Sequence, residues 1–239
     1  MFGLEFLIIL FIAAFIQAAI GFGYGAVFIG VCALTMPIDQ VILMSFVFGP
    51  LIQLLLILIT IKYRLSWDGL MLALSALIGV PVGVVLFNHL DIHMLQLLFG
   101  LFLMVTSVLS FSGRQLFPAK RRVFYGVGVF SGVLAALFGS SGPFISLYLL
   151  TRPELKRVNH IFILNMVFFV LGVVLFGWYF WQGQYDFLNQ GTVLKGLFSA
   201  VLGTLLGYFF GGYFSNQVYR RLVLVVIFLM GVLLIGDVI

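Results

Sequence analysis

Two short runs in this 239-residue chain hold residue types at spacings that can do chemistry. Residues 21–27 read Gly-Phe-Gly-Tyr-Gly-Ala-Val, and residues 138–144 read Phe-Gly-Ser-Ser-Gly-Pro-Phe. Both interrupt apolar stretches, where glycine and serine pairs are poor helix formers. Pro143 follows Gly142, and proline favours the first turn of a helix, so a helix is expected to begin there with Ser141 or Gly142 at its cap. In the first run the break at Gly21, Gly23 and Gly25 is expected to let a helix restart at Ala26. A helix N-terminus carries free N–H groups and the positive end of a dipole, which suits an anion. Glycines, here including Gly139 and Gly142, let backbone approach a ligand with no Cβ between. Ser140 and Ser141 add hydroxyl donors and Tyr24 adds a phenol. Two such termini, one from each face, would converge on one small anion.

The same Gly-Ser-Ser-Gly run fits the G-x-S-G of an intramembrane serine protease. That chemistry needs a histidine base within hydrogen-bond reach of the serine. His89 and His93 fall in a loop and His160 at the edge of an apolar span, so proteolysis ranks last. Ser45 and Asn165 occupy matched places early in the spans that follow the two breaks, and are expected to line the anion site; Gln17 and Gln53 rank behind them. Asp39 and Glu154 each follow a proline that ends an arm, where the functional reading is gating or proton exchange and the bland one a solvated helix end. Cys32 is the single cysteine, which excludes an internal disulfide and a thiolate metal cluster. No metal or other cofactor is expected.

The elements that must position these residues are membrane helices. Hydrophobic residues make up 64% of the chain and charged residues 8%, against about 25% charged in a soluble domain. Long uncharged stretches approach the ~20 residues needed to cross a bilayer as a helix. None alternates as a membrane β-strand would. The N-terminal stretch contains Glu5 and no Lys or Arg, unlike a secretory signal. The net charge of +5 reads as cytoplasmic loop charge rather than as a nucleic-acid surface.

Eleven of the twelve Lys and Arg fall in four groups: Lys62 and Arg64; Arg114, Lys120, Arg121 and Arg122; Arg152, Lys156 and Arg157; Arg220 and Arg221. With all four groups in the cytoplasm, only Lys195 lies outside. Trp178, Tyr179, Trp181 and Tyr185 then form an outer aromatic belt, with Tyr63 and Trp67 at the inner surface. Residues 123–151, uncharged and flanked by basic groups, must enter and leave on the same side. The returning arm, 143–151, reaches only about 13 Å. A re-entrant helical hairpin follows.

The chain also repeats itself. Residues 18–37, AAIGFGYGAVFIGVCALTMP, lie over residues 135–153, AALFGSSGPFISLYLLTRP, and ALIGVPVG (76–83) lies over AVLGTLLG (200–207). The expected fold is therefore an all-α polytopic membrane protein of two inverted repeats, each a glycine-broken re-entrant hairpin followed by three transmembrane helices. The first repeat is 1–112, with hairpin 4–35 and spans 40–61, 69–87 and 94–112. A basic cytoplasmic linker, 113–122, leads to the second repeat, 123–239, with hairpin 123–151 and spans 160–181, 192–214 and 221–238. Inverted repeats whose broken helices meet near the bilayer midplane are the arrangement of secondary transporters. Gly79, Gly83, Gly203 and Gly207 are read instead as close helix-packing positions.

These features resemble the sulfite exporter TauE/SafE family of membrane permeases. The likeness covers nearly the whole chain and rests on duplicated glycine breaks about 117 residues apart, Pro-terminated arms and a later G-x-x-x-G span. Gly21, Gly23, Gly25, Gly139 and Gly142 are the matching elements; Tyr24, Ser140 and Ser141 depart from the family's more glycine-rich pattern. The resemblance implies a multi-pass protein of the cell inner or plasma membrane that moves a sulfur-containing anion such as sulfite or an organosulfonate. Proton coupling and oligomer formation are compatible with the pattern. A small-anion channel using the same site is the alternative.

Overall fold

The computed structural model describes residues 3–61, 67–113, 117, 121–149, 152, 157–211 and 216–238. Ten α-helices and no strand occur among them: α1 (Leu4–Ile20), α2 (Tyr24–Cys32), α3 (Ile38–Thr60), α4 (Trp67–His89), α5 (Ile92–Ser112), α6 (Arg121–Phe138), α7 (Gly142–Leu149), α8 (Arg157–Trp181), α9 (Gln190–Gly211) and α10 (Asn216–Gly236). Five of them, α3, α4, α5, α8 and α9, are long and apolar enough to cross a membrane. Helices satisfy every internal backbone group, which a hydrocarbon surround requires. Lys62, Tyr63, Arg64, Arg114, Lys120, Glu154 and Lys156, named above for charge, belt or gating, lie outside the described residues.

Both glycine runs end one helix and start another. Gly21 takes a left-handed φ of 100° and its N–H closes on the Gln17 carbonyl at 2.7 Å. Gly139, with φ 63°, does the same on Ala135 at 2.9 Å. Such left-handed caps turn the chain sharply and satisfy a carbonyl of the last turn. In each case the second helix folds back along the first. From Phe6 to Ile20 α1 rises about 21 Å, so a continuing α2 would put Phe28 more than about 25 Å from Phe6. Their ring centroids are 5.7 Å apart. In the second hairpin Phe144 meets Phe130 at 5.0 Å and Tyr148 meets Phe124 at 6.0 Å.

The long helices lock the two hairpins in place through small residues. A Cβ at Gly79 or Gly83 of α4 would strike the Val129 or Val133 carbonyl of α6, and one at Gly203 or Gly207 of α9 would strike the Phe11 or Phe15 carbonyl of α1. Residue numbers climb together across both contacts, so α4 runs parallel to α6 and α9 parallel to α1. Ser199 of α9 also donates to the Leu7 carbonyl of α1 at 2.7 Å. By contrast α3 runs antiparallel to α8, with Phe46 against Tyr179 and Pro50 against Gly172. Likewise α5 runs antiparallel to α10, with Gln96 bonded to the Leu234 carbonyl and Ser107 to that of Leu224. The short arms α2 and α7 are buried almost end to end inside this frame. Arg152, just past α7, pairs with Asp68 at the start of α4 at 3.3 Å.

Two expectations change. The second helix of the first hairpin begins at Tyr24 rather than Ala26. Gly23, left-handed at φ 112°, stands at its cap and has no side chain to take an N–H; Gln17 Oε1 accepts from the Tyr24 N–H at 3.0 Å instead. A cap borrowed from the preceding helix lets the new one start earlier. Tyr179 is no belt residue: it is fully buried, whereas Trp178 and Trp181 on the same helix end remain exposed. Its ring fills the space between Phe46 and Phe87.

Candidate functional site

The two breaks meet. A Cβ on Gly25 would lie 2.7 Å from the Gly139 carbonyl oxygen and 2.9 Å from Ser140 Cβ. On Gly139 it would lie 2.6 Å from Ser45 Oγ. Gly142 faces Phe22 of the first break at 3.2 Å and Phe168 at 3.3 Å by the same construction. Between them lies a cavity of about 40 Å³, lined by both breaks together with Gln17, Ser45, Phe46, Pro50, Gln53, Ala135, Phe168, Leu171, Gly172 and Leu175. A small space of this kind suits a few atoms and not an extended ligand.

Of the residues singled out from sequence, Gly23, Tyr24, Gly25, Ser45, Gly139, Ser140, Ser141 and Gly142 line the cavity. Gly21 and Asn165 do not; both stand one layer behind, holding Gln17. The Gln17 side chain donates to the Gly21 carbonyl at 3.2 Å and to Asn165 Oδ1 at 2.9 Å. Asn165 in turn donates to the Ile161 carbonyl at 2.7 Å. Gln17 is thus the staple of the first break, and its buried amide is fully engaged. The sequence signal for it was present, a lone amide four residues before the capping glycine in an apolar helix, but ranked below Ser45 and Asn165. Gln53 also lines the cavity. With its amide oriented by hydrogen bonding, its NH2 faces the carbonyls of Gly49 at 2.9 Å and Phe168 at 3.3 Å.

The donors that remain open can be counted from helix geometry. The first intrahelical bonds are Val27 N–H to Gly23 and Ile145 N–H to Ser141. Tyr24, Gly25 and Ala26 in α2, and Gly142 and Phe144 in α7, therefore lack intrahelical acceptors, Pro143 having no N–H. Gln17 takes that of Tyr24. Gly25 and Gly142 remain at the cavity wall. Ser45 Oγ is occupied, donating to the Ile42 carbonyl at 2.6 Å, and Tyr24 reaches the Ser45 carbonyl with its phenol only at 3.5 Å. Ser141 differs: its Oγ is buried and has no partner among the described residues. Unpaired buried donors are costly, so this hydroxyl and the neighbouring backbone groups fit a bound acceptor.

Among the described residues, no Lys, Arg, His, Asp or Glu lines the cavity. His160 stands in the first turn of α8, about 12 Å along its axis from Phe168, the first cavity residue of that helix. Asp39, in the first turn of α3, is outside the lining; its Oδ1 is buried without a partner among the described residues. Glu154 lies outside those residues. Among the described residues no cluster of His, Cys, Asp or Glu could hold a metal.

Membrane-length apolar helices around two folded-back hairpins, with a charge-free cavity at their meeting point, define a polytopic helical membrane protein. The chain belongs to the sulfite exporter TauE/SafE family, whose model matches residues 6–234. It is similar to a probable sulfite/organosulfonate exporter TauE of Cupriavidus necator, 32% identical over 155 residues. That match covers 62% of this chain and 60% of the relative. No solved structure matches the chain.

Proposed function

We propose that this protein is a secondary transporter that carries a small sulfur-containing oxyanion, sulfite or a short organosulfonate, across the cell membrane. The observation that carries the reading is that two breaks far apart in sequence enclose one buried cavity that presents unpaired donors. Backbone N–H groups at Gly25 and Gly142, the Ser141 hydroxyl and the positive ends of α2 and α7 face it. At the opposing C-terminal ends of α1 and α6 the left-handed caps at Gly21 and Gly139 each take up one carbonyl, that of Gln17 and of Ala135, which reduces the negative potential there. Dipoles attract the anion without the cost of a buried cation and also permit its release. Sulfite chemistry is what the family description and the relative's name add.

Two inverted repeats form part of the same reading. Exchanging α1–α5 with α6–α10 turns the α4–α6 contact into the α9–α1 contact, both parallel, and leaves the antiparallel pairs α3–α8 and α5–α10 in place. A two-fold axis in the membrane plane has this signature. With the basic loops cytoplasmic, the 182–189 loop faces outward.

The test is counterflow of labelled sulfite into liposomes holding purified protein, with unlabelled sulfite, methanesulfonate or chloride inside, and with or without a pH gradient. Acceleration by internal sulfite or sulfonate is expected, since a carrier exchanges substrate across alternating access. Flux without such acceleration would favour the channel. Failure to move any sulfur oxyanion would overturn the substrate class.

A further inference from the structure

A line of aromatic residues leads from the central cavity toward the loop at 182–189, and the central site makes no use of it. Leu175 and Phe46 both line the cavity. Tyr179 stands one turn beyond Leu175 on α8. Its ring lies parallel to Phe46 at 6.0 Å and edge-on to Phe87 at 5.5 Å. Although fully buried, it leaves its hydroxyl oxygen without a partner among the described residues. Tyr185, in the loop, packs its ring 5.4 Å from Phe176 and likewise buries an unpartnered hydroxyl. Beyond it opens a surface groove of about 460 Å³ lined by Val47, Phe176 and Tyr185.

Tyrosine hydroxyls normally find a partner when buried. Two that do not, placed in succession between an internal cavity and the surface, need an explanation that packing alone does not give: a phenylalanine would fill either space without the penalty. A phenol O–H donates to a group that only accepts, as an oxyanion does. Burial, and to a lesser degree the neighbouring Tyr179, push the Tyr185 phenol above its usual range, so it stays a donor. Pro50 removes the N–H that would bond the Phe46 carbonyl, which loosens α3 at the level of the stacked ring.

We propose that Tyr179 and Tyr185 form a second, transient oxyanion site on the route between the central cavity and the 182–189 loop, with the Phe46–Tyr179 stack as its closed gate. This rests on the transporter reading, yet its main test does not depend on sulfite being the cargo. Ser141→Cys, in a Cys32→Ala background, places a thiol at the cavity. Its labelling by the impermeant, sulfonate-bearing reagent 2-sulfonatoethyl methanethiosulfonate is timed in right-side-out and inverted vesicles. Tyr179→Ala and Phe46→Ala should each speed labelling from the loop side by about tenfold or more. Phe162→Ala truncates a buried ring on α8 about 25 Å from Tyr179 along the axis, and should leave the rate unchanged. Tyr179→Phe and Tyr185→Phe keep the rings and lose the donors; each should lower maximal sulfite flux about tenfold, the worth of one hydrogen bond to a charged group, with half-saturation little changed. Equal labelling in Tyr179→Ala and parent would overturn the route, as would equal acceleration by Phe162→Ala. Undiminished flux in both phenylalanine variants would overturn the transient site. Absence of sulfite flux in the parent, with the labelling pattern as expected, would locate the failure in the substrate assignment instead.

Discussion

The two breaks do the same geometric job with different chemistry. The first spends two left-handed glycines, Gly21 and Gly23, on its turn and closes the Tyr24 donor internally: Gln17 caps Tyr24, bonds Gly21 and is itself held by Asn165. The second uses one left-handed glycine, Gly139, and leaves the buried Ser141 hydroxyl without a partner among the described residues. The comparison teaches a division of labour. We read the first break as mainly scaffold, offering the cavity the Gly25 N–H, and the second as the larger donor share, with the Gly142 N–H and the Ser141 hydroxyl. Repetition in sequence therefore does not mean equal shares in binding.

The strongest way to break this comparison is to force the breaks apart. Gly25→Leu would drive a branched side chain into the Gly139 carbonyl and Ser140. Overpacking of this kind costs roughly 1–3 kcal/mol and more against backbone, so both thermal stability and flux should collapse. Gly142→Ala meets only side-chain atoms of Phe22 and Phe168 at 3.2–3.3 Å and should be the milder change. Equal stability losses, read by thermal unfolding in detergent, would remove the asymmetry between the breaks.

Gln17→Leu comes next. It strips the cap from Tyr24 and a donor from Asn165, leaving buried groups unsatisfied at about 1–3 kcal/mol each. The melting temperature should fall clearly, and flux with it. Asn165→Ala removes one of the amide contacts to Gln17 and should cost less, about 1 kcal/mol. A larger effect for Asn165→Ala than for Gln17→Leu would show that Asn165 acts beyond holding the staple.

What was legible in the sequence, and what was not, follows from the range of the interactions. Apolar runs of membrane length report on one solvent, the bilayer, so the long helices at Ile38–Thr60 or Trp67–His89 stand out. Glycine runs mark the turns because left-handed φ is a local demand. The start of α2 lies two residues before the one the sequence suggests because its cap comes from Gln17, seven residues earlier, across a turn. Sequence alone places Tyr179 at the interface because aromatic residues at a helix end usually sit there; which side of α8 faces Phe46 is set by α3, and local composition carries no trace of it. Adjacent serines read alike in sequence, although Ser140 packs on Gly25 while Ser141 has no partner among the described residues.

The smallest expected effect on stability is the most informative. Ser141→Ala removes a hydroxyl that has no partner among the described residues. Its melting temperature without ligand should match the parent, while sulfite affinity, measured by the sulfite-dependent rise in melting temperature and by half-saturation of flux, should fall about ten- to a hundredfold, the share of one charge-assisted hydrogen bond at roughly 1.5–3 kcal/mol. The Ser140→Ala, Ser141→Ala double variant should bind more weakly still and retain some flux through the helix N-termini. Unchanged sulfite affinity in Ser141→Ala, at unchanged stability, would contradict the larger binding share proposed for the second break.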